Sequence, residues 1–231
     1  MKHLYVISLV INFIMLATIV VLFLLGKPII KKIIREKIIE VRHNQLKSMF
    51  ENCPVSLGSI IFLGDSITEG GNWSELFPGQ SILNRGIGGD ITSGILARID
   101  EVVRHQPSKI FICIGTNDLA FGLSNTEILK NYRAIIDKIQ KESPQTIIYV
   151  QSVLPVGKKV LAGHDNLKIL PLNVEIKKMC DYLKLSYIDL DSVFKVENGY
   201  LKSEYTNDNL HLLGAGYLAW KEKIGVYVDE K

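Results

Sequence analysis

From Pro54 to the C-terminus, short apolar runs alternate with longer segments whose apolar residues recur at helical spacing. This alternation is typical of βαβ units, in which parallel strands form one sheet and helices cover both of its faces. The sequence therefore predicts an α/β fold of the flavodoxin-like, three-layer α/β/α class, with a parallel sheet of about five strands. The predicted strands are Ser59–Leu63, Ser81–Asn84, Lys109–Ile114, Thr146–Gln151 and Ser186–Asp189. The predicted helices are Thr92–His105, Thr126–Glu142, Pro171–Leu183 and Gly214–Val228.

A nearly unbroken apolar run, Leu4–Leu25, precedes this pattern. It has the ~20 residues that a helix needs to cross a hydrocarbon core. A secretory signal peptide is the competing interpretation, but the run is longer than the usual apolar region and no small-x-small cleavage site follows it. The sequence therefore predicts a transmembrane helix over residues 1–26 and a single-pass membrane protein.

Residues 27–53 contain paired isoleucines at helical spacing with basic residues between them. This pattern predicts a basic amphipathic juxtamembrane helix that lies on the membrane, while an ordinary solvated helix packed on the domain stays open as an alternative. Six basic residues lie within the ~20 residues after the apolar run, and basic flanks tend to stay inside. The domain over residues 54–231 is therefore predicted to lie on the cytoplasmic side.

The charge of the chain is unevenly distributed. Of its 27 basic and 24 acidic residues, 8 and 3 lie in the first 51 positions, so that the rest carries a net charge of −2. A mildly acidic domain does not favour a nucleic acid as partner. Cys53, Cys113 and Cys180 lack C-x-x-C spacing, so the cysteines indicate neither a metal site nor a disulfide framework.

The first candidate functional residue is Ser66, at the end of the run Ile60–Ser66. This run reads as a buried strand that stops abruptly at a hydroxyl group. Ligands bind at the carboxyl ends of the strands of open α/β sheets, so Ser66 is a candidate nucleophile. Taken alone, the motif is more often that of a serine that caps a helix.

The second candidate motif is the glycine-rich segment Asn84–Thr92, which follows one predicted strand and opens a helix. Its backbone amides are available to an anion. A dinucleotide site is disfavoured because Ile91 stands where that fingerprint needs a small residue, and no P-loop lysine follows. The third candidate, Asn117, also follows a predicted strand, and its amide can point into the same crevice, although Asn-Asp alone usually indicates a turn.

The fourth candidate motif is Asp208-Asn209-Leu210-His211, just before the last predicted helix. A carboxylate three residues before a histidine can accept a hydrogen bond from Nδ1 and leave Nε2 free to act as a base. A lone histidine is more often structural. The other four histidines lack such a partner in the sequence.

In their order and spacing, these four motifs resemble the four sequence blocks of the SGNH hydrolases, also called GDSL esterases. The resemblance extends from Ile60 to the C-terminus. It is closest to the platelet-activating-factor acetylhydrolase type, in the segment Asn84–Asp90 with Thr92 and in Asp208-x-Leu210-His211 followed by Leu-Leu. Ile67 stands where the motif that names the family has leucine.

The resemblance implies a role for each of these residues. It makes Ser66 the nucleophile, His211 the general base and Asp208 the carboxylate that orients it. The backbone N–H groups of Ser66 and Gly89 and the side-chain amide of Asn117 would form the oxyanion hole. No metal and no organic cofactor is implied. The α/β-hydrolase fold is disfavoured because Ser66 lacks the G-x-S-x-G elbow.

The sequence thus predicts a membrane-anchored serine esterase that hydrolyses a short-chain or acetyl ester of a lipid or glycan through an acyl-serine intermediate. A catalytically idle module that binds a glycan or lipid at the membrane is the rival prediction. An idle site has no physical reason to keep a base, its orienting group and every oxyanion donor. The connection over residues 152–170 is a candidate lid or substrate wall, and the oligomeric state is left open.

Overall fold

The computed structural model describes residues 2–34, 39–160 and 163–230. Two compact units are present, Met1–Asn44 and Gln45–Lys231. The first contains helix α1 (Lys2–Ile34) and the start of helix α2 (Glu40–Asn52). The second contains the end of α2 and the α/β domain.

The structure corrects the membrane predictions. Crossing a hydrocarbon core takes a helix of ~20 predominantly apolar residues. Among the helices formed by the described residues, none reaches the length and apolarity that this requires. The predicted transmembrane helix over residues 1–26 is therefore unsupported, and the prediction of a single-pass membrane protein with its domain on the cytoplasmic side is wrong. The predicted amphipathic helix over residues 27–53 lies partly outside the described residues, which omit 35–38.

One parallel sheet of five strands forms the centre of the domain. Its strands lie side by side in the order β2-β1-β3-β4-β5. They are β1 (Ile60–Gly64), β2 (Ile82–Gly86), β3 (Lys109–Cys113), β4 (Ile147–Gln151) and β5 (Ser186–Ile188). The predicted five-strand parallel α/β fold is thereby confirmed.

The remaining helices connect and cover these strands. They are α3 (Ser66–Glu69), α4 (Trp73–Leu76), α5 (Thr92–Val103), α6 (Thr116–Phe121), α7 (Asn125–Glu142), α8 (Asn166–Leu183), α9 (Asp191–Phe194) and α10 (Gly214–Asp229). A 3-10 turn, Ser203–Tyr205, precedes the last helix. Helix α8 begins five residues before the predicted start at Pro171, which lies inside the helix.

The two faces of the sheet have different cores. On one face, buried aliphatic residues of β1, β3 and β4 pack with those of α5, α7 and α8. On the other face, aromatic rings form a continuous stack. Ring centroids are 4.1 Å apart for Trp73 and Phe62, 5.0 Å for Phe62 and Phe111, and 4.7 Å for Phe111 and Tyr149. Because Phe62, Phe111 and Tyr149 are register partners on neighbouring strands, this stack fixes the alignment of β1, β3 and β4.

Helix α10 is held at its C-terminal end by the side chain of Lys109. The Nζ atom of Lys109 donates hydrogen bonds to the carbonyls of Tyr227, Val228 and Glu230, at 2.7, 3.0 and 2.5 Å. These carbonyls have no partner within a helix end, so a cation there satisfies them. The contact ties α10, which begins shortly after His211, to the first residue of β3.

Candidate active site

Ser66 lies in a tight turn at the carboxyl end of β1. The strand ends at Gly64, and Asp65 caps helix α3 by accepting a hydrogen bond from the N–H of Ile67 at 2.9 Å. A Cβ atom at Gly64 would overlap the side chain of Thr68 and the carbonyl oxygen of Cys113, so the close approach requires glycine. Ser66 is the first residue of α3, and its N–H therefore has no acceptor within the helix.

The structure brings Ser66, His211 and Asp208 into one chain of hydrogen bonds. His211 Nε2 lies 3.0 Å from Ser66 Oγ, and His211 Nδ1 lies 2.6 Å from Asp208 Oδ2. Because a carboxylate only accepts, Nδ1 carries the proton and Nε2 is left to accept the proton of the serine hydroxyl. The arrangement joins residues that are 145 positions apart in the sequence.

The turn around Asp208 fixes the direction of its carboxylate. Asp208 Oδ1 accepts hydrogen bonds from the N–H groups of Leu210 and His211, at 2.9 and 2.7 Å. Asn209, which directly follows Asp208, adopts a left-handed backbone with φ of 70°, and its carbonyl accepts a hydrogen bond from the N–H of Gly157 at 2.8 Å. One carboxylate oxygen therefore holds the turn while the other holds the imidazole.

These contacts also set the charge of Asp208. Desolvation raises the pKa of its carboxyl group, but the hydrogen bonds from the His211 side chain and from the two N–H groups outweigh it and lower the pKa to about 2. Asp208 therefore stays ionised throughout the neutral range. The side chains of His211 and Asp208 are 46% and 48% exposed, so the site opens to solvent.

The glycine-rich motif forms a turn directly after β2. The N–H of Asp90 donates to the carbonyl of Ile87 at 3.1 Å, and Gly89 inside this turn has a φ of 75°, which favours glycine. A Cβ atom at Gly88 would lie 3.9 Å from the Cβ of Ser66, so the turn lies beside the serine. In the described part of the chain, no hydrogen bond has the N–H of Gly89 as its donor.

Asn117 is buried at the start of α6 and is tied to the same turn. Its Nδ2 atom donates a hydrogen bond to the carbonyl of Asp90 at 2.9 Å. A side-chain amide has two N–H groups, so one is committed to Asp90 and the other is available for a ligand. The structure thus places the Asn117 amide and the Gly89 turn together.

A buried network that sequence reasoning missed holds these turns in place. Arg98 forms an ion pair with Asp90, with Nε 2.9 Å from Oδ2 and both side chains 1% exposed. The same guanidinium donates to the carbonyls of Gly64 and Arg85, at 3.3 and 2.9 Å. Arg98 therefore joins the carboxyl ends of β1 and β2, and its sequence position on α5 gives no sign of this.

The start of α5 is capped by Asp118, a residue 26 positions away in the sequence. Its carboxylate accepts hydrogen bonds from the N–H and the hydroxyl of Thr92, the latter at 2.5 Å. The helix lacks a local cap because Ile91 occupies the N-cap position. The Asn-Asp pair after β3 thus has two uses, with Asn117 facing the glycine turn and Asp118 supporting the next helix.

Comparison with known proteins identifies the family. The sequence profile of the GDSL-like Lipase/Acylhydrolase family matches residues 62–219. The chain belongs to this family. It is 31% identical over 176 residues to the platelet-activating factor acetylhydrolase IB subunit alpha2 of Rattus norvegicus and to that of Homo sapiens, covering 72% of this chain and 74% of each relative.

Solved structures agree with this placement. A structure from Streptococcus pneumoniae, named for platelet activating factor, shares 30% identity with a TM-score of 0.79 and covers 86% of this chain and 98% of that one. A GDSL-like lipase from Bacteroides thetaiotaomicron has a TM-score of 0.69 at 22% identity, covers 81% of this chain and 97% of that one, and supports the fold alone. This member of the GDSL-like lipase/acylhydrolase family is an ester-hydrolysing enzyme, which confirms the predicted family and enzyme class.

Proposed function

We propose that this enzyme hydrolyses its ester through an acyl-serine intermediate formed on Ser66. The observation that carries the proposal is the unbroken chain of hydrogen bonds from Asp208 through His211 to the Ser66 hydroxyl. In the first step, Nε2 of His211 takes the hydroxyl proton while Oγ attacks the ester carbonyl carbon. The resulting imidazolium is stabilised by the carboxylate of Asp208.

Three N–H donors are proposed to stabilise the oxyanion that forms in this step. They are the backbone N–H of Ser66, the backbone N–H of Gly89 and the side-chain amide of Asn117. Three observations support this proposal. Ser66 lies in the first turn of α3, and the N–H of Gly89 donates no hydrogen bond among the described residues. The buried amide of Asn117 is held by its hydrogen bond to Asp90. Donors fixed before the reaction are most effective where charge develops in the transition state.

The second half of the reaction uses the same groups. His211 returns its proton to the leaving alcohol, which departs and leaves the acyl group bound to Ser66 Oγ. Water then loses a proton to Nε2 of His211 as it attacks the acyl carbonyl, and the acid leaves as the serine recovers its proton. Protein side chains and water thus account for every proton in the cycle.

The proposed substrate is a short-chain or acetyl ester of a lipid or glycan. Support for the acetyl group comes from relatives named as acetylhydrolases of platelet-activating factor at 31% identity. The connection predicted over residues 152–170 ends at residue 165 in the structure, because α8 begins at Asn166, and it is proposed as a substrate wall. Its Gly157 donates a backbone hydrogen bond to Asn209, next to the proposed catalytic aspartate. Residues 161 and 162 of this connection lie outside the described residues.

A fluorophosphonate probe tests the proposed chemistry. Its phosphorus is attacked by an activated serine, so the wild-type enzyme should gain one adduct that maps to the peptide containing Ser66. The Ser66→Ala variant should not be labelled, and His211→Ala should be labelled much more slowly. An adduct on another serine in the wild-type enzyme would refute the assignment.

A series of esters tests the proposed substrate class. With one leaving group and acyl chains of increasing length, kcat/KM should be highest for acetyl or another short acyl group. A maximum for long acyl chains would refute the short-chain proposal while leaving the acyl-serine mechanism in place.

A further inference from the structure

Glu69 lies one helical turn after Ser66, as the last residue of α3. Its carboxylate oxygen Oε2 accepts a hydrogen bond from the backbone N–H of Gly88 at 2.6 Å. This distance is short for an N–H···O hydrogen bond, whose usual range is ~2.7–3.2 Å. Gly88 directly precedes Gly89, the proposed oxyanion donor, so Glu69 acts on the peptide next to it.

The turn that contains Gly89 has three consecutive backbone N–H groups, those of Gly88, Gly89 and Asp90. The N–H of Gly88 donates to Glu69, and the N–H of Asp90 donates to the carbonyl of Ile87. Of these three groups, the N–H of Gly89 alone makes no hydrogen bond to the described residues. One hydrogen bond fixes the residue before Gly89 and the other fixes the residue after it. The orientation of the Gly89 N–H therefore depends on both bonds.

The backbone that carries Glu69 is itself held tightly to β2. Asn84 Nδ2 donates to the carbonyls of Thr68, Glu69 and Gly71, at 3.1, 3.0 and 3.0 Å. A Cβ atom at Gly86 would overlap the backbone nitrogen of Glu69, so strand and helix are in direct contact. The backbone of Glu69 is therefore held in place, as a precise contact between its side chain and Gly88 requires.

We propose that Glu69 is a positioning residue that aims the Gly89 N–H at the oxyanion. This inference rests on the oxyanion hole of the proposed function. Glu69 has this orienting effect through the oxygen that accepts the hydrogen bond and not through its negative charge. A negative charge beside a developing oxyanion opposes catalysis. A neutral acceptor of the same length should therefore replace the carboxylate, whereas a shorter carboxylate should not.

Three substitutions separate three properties of the Glu69 side chain, which are its hydrogen-bond acceptor, its charge and its length. Glu69→Gln keeps an oxygen at the same distance, Glu69→Asp keeps the charge but draws it back by one methylene, and Glu69→Ala removes both. Glu75→Ala, at an exposed acidic residue of α4, is the matched control. The assay is kcat and KM on a soluble acetate ester, with thermal unfolding to verify that each variant is folded.

The expected result is a split between the variants that shows mainly in kcat. Glu69→Ala and Glu69→Asp should lower kcat about 10- to 100-fold with KM nearly unchanged, below the ~10²- to 10³-fold cost of removing a donor outright. Glu69→Gln and Glu75→Ala should keep kcat within about threefold of the wild type. If Glu69→Ala fails to fold, the contrast between Gln and Asp still decides.

Two outcomes would overturn the inference. Wild-type kcat in Glu69→Asp would show that the contact with Gly88 is dispensable, and an equal loss in Glu69→Gln would show that the charge itself is required. A failure of the proposed function would look different, because Ser66→Ala would then retain turnover whatever the Glu69 variants do.

Discussion

The carboxyl group of Asp65, next to the proposed nucleophile, links the stability of the fold to pH. Asp65 follows the last residue of β1 and precedes the first residue of α3, and it is 3% exposed. Burial raises its pKa from 3.8 to about 7, and the nearby carboxylates of Asp90 and Asp118 add to the increase. The hydrogen bond from the N–H of Ile67 opposes it. The folded protein therefore binds the Asp65 proton more tightly than the unfolded chain does.

The sign and size of the pH effect follow from this difference. Because the pKa of Asp65 is higher in the folded state, the protonated carboxyl group makes its full contribution to the free energy of unfolding below pH ~4. The contribution is then lost as the pH rises towards 7. One pKa unit corresponds to ~1.4 kcal/mol, so a shift of about three units corresponds to ~4 kcal/mol of unfolding free energy at most.

Asp65→Asn tests this prediction, because asparagine keeps an oxygen for the N–H of Ile67 and never ionises. Urea unfolding of the variant and the wild type from pH 4 to 8 should show the variant gaining relative stability as the pH rises. The gain should approach a few kcal/mol by pH 7 and level off above it. The exposed Glu75→Gln should show no such trend. A difference between Asp65→Asn and wild type that stays constant with pH would refute the reasoning.

Further predictions concern catalysis and folding. Ser66→Ala and His211→Ala should each abolish turnover in a sensitive hydrolysis assay, and the double variant should lose little more, because triad members act as a unit; additive losses would contradict the assignment. Asn117→Ala should lower kcat ~10²- to 10³-fold with a modest change in KM, and a pure KM effect would indicate substrate binding instead. The pH profile of kcat should show no limb from the carboxyl group of Asp208 above pH ~4, because its pKa is lowered to about 2; a loss of activity that follows the titration of a carboxyl group near pH 4 would contradict this. Gly64→Ala should reduce folded yield, measured by circular dichroism, because its Cβ would overlap Thr68; a fully folded variant would contradict this.

The strands and long helices were predictable because each has its own local pattern. Apolar runs between turns mark β1, β3 and β4, and the structure aligns them through Phe62, Phe111 and Tyr149. The short helices α3, α4, α6 and α9 have four to six residues, too few to show a period. The start of α8 was predicted too late, because Asp165 caps the helix before Pro171 and the proline is accommodated inside it.

The candidate site was predictable as separate motifs, but the network that supports it was not. Each motif places a polar residue where a strand ends, and parallel strands bring such ends to one edge. Arg98, Asp118 and Glu69 act on residues 8 to 34 positions away, and no local pattern indicates those partners. Such long-range contacts become visible only when the chain is folded.

The prediction for the N-terminal segment rested on one apolar run and on the basic residues that follow it, and the structure does not support it. The run Leu4–Leu25 has the length and apolar content that predict a membrane span. Along the described residues, however, the structure contains no helix that satisfies both requirements. The charge bias after the run therefore carries no prediction of membrane side.

The central claim is that hydrolysis proceeds through an acyl group bound to Ser66. Rapid quenching of the wild-type enzyme with an activated acetate ester, followed by peptide mass spectrometry, tests this most directly. The peptide that contains Ser66 should gain the mass of one acetyl group during turnover, and the gain should disappear in Ser66→Ala together with activity. Turnover that continues in Ser66→Ala, or an acetyl group found on another residue that forms and decays at the catalytic rate, would contradict the claim.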